Sequence, residues 1–142
     1  MSEKFPRAAR EIMDERFGCD SLIALATSDG ATPYVRAVNS FYEDGCFYVV
    51  TYAQSNKMRQ IEKNPVVSIC GDWFTAHGVG ENLGHVLLPA HEEIMDKLRT
   101  VFAEWCDNGH ANESDENTIL LRIRLTKGVL FSHGTRYDID FT

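Results

Sequence analysis

The sequence predicts an α+β fold that is mainly β, a small antiparallel barrel with helices at its periphery. Short apolar runs outnumber helical segments. The first three runs are joined by short polar turns, Ser28-Asp29-Gly30 and Glu43-Asp44-Gly45, and Asp-Gly is among the strongest hairpin signals. No helix lies between those runs, as parallel strands would require. The 142 residues fit one domain spanning 1–142, enough to bury roughly two thirds of the unfolded surface.

The elements follow in order. Over residues 5–17, Phe5, Ala8, Ala9, Ile12, Met13 and Phe17 recur at helical spacing. Pro6 suits the first helical turn and Gly18 the stop. Ser21–Thr27, Tyr34–Tyr42 and Cys46–Tyr52 read as a strand meander. Lys57–Lys63 makes about two helical turns, with Met58 and Ile61 facing inward and Lys57, Arg59, Gln60 and Glu62 mostly outside. Asn64-Pro65 ends it, because the residue before proline avoids helical geometry. Val66–Cys70 is a fourth strand. Phe74–Leu88 is glycine-rich and reads as a bent or bulged strand pair.

Pro89 and Ala90 open the longest helix, expected to run to about Cys106 with Ile94, Leu98, Val101, Phe102 and Trp105 as its buried stripe. Asp107–Asn117 is a polar acidic loop. Thr118–Leu125 alternates as a strand should. Val129–Phe131 and Tyr137–Phe141 finish the chain as strands or edge pieces.

Composition narrows the function. Hydrophobic residues make up 44% of the chain and the formal net charge is −7. That balance argues against nonspecific binding of nucleic acid or an anionic membrane, since both need a cationic face. No run approaches the roughly 18–20 apolar residues of a membrane span. The N-terminal MSEKFPRAAREIMDERFG lacks the apolar core of a secretory signal. Cys19, Cys46, Cys70 and Cys106 lie far apart and form no CxxC pair. Cys46 and Cys70 fall within apolar strand runs and read as buried free thiols. A cytoplasmic protein is expected.

The chemistry concentrates between Pro33 and Cys70. Ser55-Asn56-Lys57 opens a helix at the end of a strand, where backbone N–H groups point outward and an anion binds well. Lys57 and Arg59 lie in the first turn with no acidic residue before Glu62. The helix dipole disfavours cations there, and a bound anion reverses that penalty. Ser55 can cap the helix or donate to a phosphate. Lys57 supplies a point charge. Arg36, a charge within the apolar run Val35, Ala37, Val38, can supply a second cation. The same residues also read as solvated surface, with Arg36 pointing outward from an edge strand.

The order of these residues resembles the pyridoxamine 5'-phosphate oxidase-like family of FMN-binding split barrels. The shared run is an Arg-containing strand (Arg36–Asn39), a hairpin at Gly45, and an aromatic-rich strand ending in Thr (Phe47–Thr51). Ser55-x-Lys57, Ile61 and Asn64-Pro65 complete it. The resemblance implies a six-stranded split barrel, usually a homodimer with FMN at its interface. It implies that Arg36, Ser55 and Lys57 hold the flavin phosphate, with Asn56 beside them in the helix start. It further implies that Ala37, Val38 and Asn39 line the ring and that Val50 and Thr51 add contacts.

The implied activity is that of an FMN-dependent oxidoreductase acting on a small-molecule substrate or a reduced nicotinamide. A non-catalytic flavin-binding protein, or a barrel holding haem or a deazaflavin, is the alternative. The Arg-x-His that contributes to the substrate site of true pyridoxamine 5'-phosphate oxidases is not matched. Here His133 precedes Arg136 and the spacing differs, so no catalytic or substrate residue is carried over. A polar turn is at least as good a reading of that segment. Glu81 and Asn82 are the candidates for contacts with the flavin of a second subunit.

Other signals are weaker. Gly78-Val79-Gly80 with Gly84 lacks a third motif glycine and a βαβ setting, so bends in a barrel strand explain it better. The five histidines, His77, His85, His91, His110 and His133, form no metal-binding pair. The acidic loop lacks calcium-loop order and reads as solvated. Trp73, Phe74, Phe102 and Trp105 read as core or dimer contacts.

Overall fold

The structure, a computed structural model, describes residues 4–102 and 112–142. Seven strands form one antiparallel sheet: β1 (Ser21–Ser28), β2 (Pro33–Glu43), β3 (Cys46–Tyr52), β4 (Val66–Gly71), β5 (Phe74–His85), β6 (Thr118–Ser132) and β7 (Thr135–Asp140). The order is β3-β2-β1-β4-β5-β6-β7, and β3 also pairs with β6. Six strands therefore close into a barrel, and β7 extends it. The first half of β6 pairs with β3, from Thr118↔Tyr52 to Arg124↔Cys46. Its second half pairs with β7, from Lys127↔Asp140 to Ser132↔Thr135. One 15-residue strand thus serves two neighbours on the same edge.

The three-strand meander predicted from the polar turns is present. At the β2–β3 turn Asp44 and Gly45 both adopt positive φ, 48° and 79°, the geometry that matches strand twist. The Tyr42 hydroxyl accepts the Gly45 N–H at 3.0 Å, and burial raises its pKa to about 12. Phe74–Leu88 is one strand rather than a pair, β5 ending at His85. Its pairing with β6 shifts register between His77 and Gly78 and again between Asn82 and His85. The glycines there serve close packing: a Cβ on Gly78 would lie 2.8 Å from the Arg124 carbonyl oxygen, and one on Gly80 3.0 Å from Ile61.

Among the described residues three α-helices pack on the barrel. Helix α1 (Arg7–Phe17) starts after Pro6, which is its N-cap rather than part of its first turn. Its Ala9, Met13 and Phe17 enter the main core, and Phe17 meets Phe47 and Phe74 at ring distances of 5.5 and 5.6 Å. Helix α2 (Asn56–Lys63) buries Met58 and Ile61 as its spacing predicts. After a 3-10 turn at Pro89–His91, helix α3 (Glu92–Val101) buries Met95 and Leu98. Together with Phe102, Phe41, Val86 and Leu120 they form a second core outside the barrel wall. Trp105 and Cys106 of the expected stripe and helix end, and His110, lie outside the described residues.

Several sequence expectations about burial fail. Cys70 is exposed and Cys46 only half-buried, because both point out of the barrel while their neighbours Ile69 and Phe47 point in. Of its two readings, core or dimer contact, Trp73 loses the core one: it is 72% exposed and sits at the β4–β5 turn with a positive φ of 54°.

Candidate functional site

The sequence folds α2 against the barrel through Met58 and Ile61, which carries its first turn to the end of β3. Ser55 occupies the N-cap with extended backbone, and its hydroxyl makes no capping bond to the helix. Instead Ser55 Oγ accepts a hydrogen bond from Lys57 Nζ at 3.5 Å. The first helical bond runs from Arg59 N–H to the Ser55 carbonyl, so the N–H groups of Asn56, Lys57 and Met58 have no intrahelical acceptor.

Arg36 on β2 is held toward this turn. Its Nη1 donates to Thr27 Oγ1 at 2.6 Å and to the Leu25 carbonyl at 3.3 Å. Its Nη2 donates to Gln60 Oε1 at 3.4 Å, and Thr27 in turn donates to the same oxygen. Gln60 and Lys57, expected mostly outside, are half-buried, whereas Arg59 and Glu62 are exposed. Burial lowers the pKa of Lys57, and the charge of Arg36 lowers it further. Arg36 is itself pushed down by burial. Among the described residues neither cation has a carboxylate within 4.0 Å. Two partly desolvated like charges with no counter-ion cost stability, and an anion would remove that cost.

Beside this turn lies a cleft of about 450 Å³, lined by Ala37, Val38 and Asn39 of β2, Val49–Tyr52 of β3, Lys57, Phe102, Asn112, Asp115 and Thr118. Its size suits a cofactor-sized ligand. Six of the nine predicted site residues meet there: Ala37, Val38, Asn39, Val50, Thr51 and Lys57. Arg36, Ser55 and Asn56 adjoin it without forming its wall. Asn39 also donates its side-chain amide to Asp20 at 3.0 Å. Phe102, Asn112, Asp115 and Thr118 were not found from the sequence. The closure of β6 on β3 brings the last three in.

The remaining candidates are otherwise engaged. Glu81 pairs with Arg122 at 3.3 Å and Arg124 at 3.2 Å, and Asn82 accepts the Gly84 N–H at 2.8 Å. His133 sits with φ 50° in the β6–β7 turn, beside Arg136, which pairs with Asp138. This is the polar turn of the sequence reading. Among the described residues no three His, Cys, Asp or Glu side chains converge as a metal site.

Residues 9–130 match the profile of the pyridoxamine 5'-phosphate oxidase family. No curated protein matches the chain. Among solved structures, a FAD-binding protein from Mesorhizobium loti superposes with a TM-score of 0.63 at 20% identity, covering 78% of this chain and 85% of that one. General Stress Protein 26 from Bacillus anthracis gives 0.68 at 19% identity over 92% and 98%. A heme binding protein from Mycobacterium smegmatis gives 0.72 at 14% identity over 96% of this chain, which spans 59% of that longer chain. At these identities the likenesses show the shared split-barrel fold.

Proposed function

Because the chain belongs to the pyridoxamine 5'-phosphate oxidase family, we propose that its cleft holds FMN and that the protein is an FMN-dependent oxidoreductase. The observation that carries this reading is the cation pair at the start of α2. Arg36 and Lys57 are half-buried, lack a carboxylate partner among the described residues, and flank a helix start with free N–H groups. A phosphate monoester matches that donor set.

The bound flavin would supply the redox chemistry with a small organic substrate or a reduced nicotinamide. The chain's own residues bind and orient it. Arg36, Ser55, Lys57 and the N–H groups from Asn56 onward would take the phosphate. Ala37, Val38 and Asn39 would line the ring, and Val50 and Thr51 would complete the wall. Val38 and Val49 exclude water on the barrel side, being 8% and 2% exposed. No protein nucleophile is required.

The FAD-binding neighbour supports a flavin. The heme binding neighbour raises haem; among the described lining residues Tyr52 is the one of a type that ligates haem iron, and no imidazole or sulfur joins it. The homodimer expected of the family fits the outward face of β2, β1 and β4. There Val35, Ala37, Ala24, Ala26, Cys70 and Ser68 form a charge-free surface, the composition of an interface core. Among the described residues no helix is long and apolar enough to cross a membrane. With free thiols and a net charge of −7, we place the protein in the cytoplasm, acting on small molecules rather than on nucleic acid or membranes.

Titration of FMN into purified protein, read by quenching of flavin fluorescence, tests this reading. Saturable binding followed by bleaching with NADH or NADPH supports the oxidoreductase. Binding without reduction by any donor leaves a flavin-binding protein. Failure to bind FMN overturns both.

A further inference from the structure

The cleft has a second polar end, at the entry to β6. Resting on the flavin reading above, we propose that Asp115, with Asn112 beside it, recognises the hydroxyl-bearing chain that links the flavin ring to its phosphate.

Asp115 lines the same cleft as Lys57 yet forms no ion pair with it. Arg36 is the charge that bears on Lys57. The carboxylate is fixed rather than loose. Its Oδ1 accepts the Asn117 N–H at 2.9 Å, and its carbonyl accepts the Thr118 N–H at 2.9 Å. Its Oδ2 takes no hydrogen bond from any described residue. The loop is pinned against the link from β3 to α2 by Ala53 N–H donating to the Asn117 carbonyl at 2.7 Å. Thr118 Oγ1 donates to the Asn112 carbonyl at 2.6 Å.

An ionised carboxylate accepts only, and it repels a phosphate. What it takes is a donor: a hydroxyl placed next to the phosphate rather than the phosphate itself. Asn112 complements it. Its Oδ1 is used by Ser114, whose N–H and Oγ donate at 3.2 and 2.6 Å, which leaves its Nδ2 as the donor it can offer at the cleft it lines. An acceptor and a donor side by side suit successive hydroxyls, each of which both donates and accepts.

The test is a comparison of FMN, riboflavin and lumiflavin, binding each to the wild type, Asp115→Asn and Lys57→Ala by fluorescence quenching. Riboflavin adds the hydroxylated chain to lumiflavin, and FMN adds the phosphate. Asp115→Asn keeps an oxygen for the Asn117 N–H and so preserves the loop; its thermal melt should match the wild type. The expected result is that Asp115→Asn lowers the preference for riboflavin over lumiflavin about tenfold, the value of a charge-assisted hydrogen bond. Its preference for FMN over riboflavin should not fall, since the substitution also removes the carboxylate's repulsion of the phosphate. Lys57→Ala should do the reverse. Asn112→Ala, which leaves Asp115 untouched, should move the first ratio in the same direction. An unchanged riboflavin-to-lumiflavin ratio in Asp115→Asn, with FMN binding intact, overturns this inference and leaves the flavin reading standing. No FMN binding by the wild type removes the flavin reading itself, and this inference with it.

Discussion

Arg122 and Arg124 on β6 share a wall of the barrel with Glu81, which lies 3.3 and 3.2 Å from them. Arg36 on β2 and Lys57 at the start of α2 are two half-buried cations close in space, but no described carboxylate joins them. The first cluster is complete within the chain. Burial pushes the Glu81 carboxyl up, yet hydrogen bonds and charge from Arg122 and Arg124 outweigh it and leave the group below its ordinary range. In the second cluster burial and mutual repulsion both push Lys57 down, and nothing described opposes them. Charge balanced internally serves the fold; charge left unbalanced at a cleft is open to a ligand.

The largest way to break this contrast is to remove the unbalanced pair. Replacing Arg36 and Lys57 together by alanine should weaken FMN binding at least tenfold, about 1.4 kcal/mol, measured by fluorescence titration. The ligand-free melting temperature should change little, since relief of the two unbalanced charges offsets the loss of the Arg36 hydrogen bonds to Thr27, Leu25 and Gln60. If titration curves are unchanged, the phosphate lies elsewhere. If stability drops sharply with ligand absent, the pair is structural and the contrast with Glu81 is lost.

A smaller effect is expected at the balanced cluster. Glu81→Gln leaves two arginines facing each other and should cost about 1 kcal/mol or less, since these side chains are partly exposed. That is a fall of roughly 2–4 °C in Tm, with FMN affinity unchanged. The sign with pH follows. The folded carboxyl titrates below its unfolded value of about 4.3, so the unfolded chain binds more protons between the two. The contribution of Glu81 is present above about pH 4.3 and is lost as pH falls through the lowered value. Acid titration of stability should therefore be shallower in Glu81→Gln than in the wild type.

The two clusters also differ in how far the sequence reveals them. Arg36, Ser55 and Lys57 lie within 22 residues of chain, on a strand, a hairpin and a helix start that each carry a local signal. The meander was legible because Asp44-Gly45 and Ser28-Asp29-Gly30 mark its turns, and α2 because Met58 and Ile61 share a helical face. Glu81 gives no such signal. Its partners come from β6, and the glycines of β5 that let β6 approach blur the strand pattern. Strand β6 itself read as two pieces because Lys127 and Gly128 interrupt its alternation at the register shift opposite His77. Asn112, Asp115 and Thr118 reach the cleft through the β3–β6 closure, a contact across more than 60 residues that no local pattern encodes. Cys70 is exposed against expectation, because an apolar run does not say which of its residues face outward.

The smallest effect separates the two clusters most cleanly, because it reads protonation rather than affinity. In the ligand-free fold Lys57 titrates below its ordinary 10.5. Between the two values the unfolded chain holds more protons than the folded one, so this residue makes stability rise with pH across that window. The burial cost of its charge is relieved as the amine loses its proton. A phosphate dianion placed beside it favours the charged form and pushes its pKa back up. Binding FMN in that window should then draw a fraction of a proton from solvent. Calorimetry in two buffers of different ionisation enthalpy measures this directly. Riboflavin, which lacks the phosphate, should draw none through Lys57, and Lys57→Met should abolish the uptake with FMN. Glu81→Gln should leave it intact, since that carboxylate is fully ionised at alkaline pH. Equal uptake by FMN and riboflavin would mean that Lys57 answers to the ring or to burial alone. Its lack of a counter-ion would then have nothing to do with phosphate.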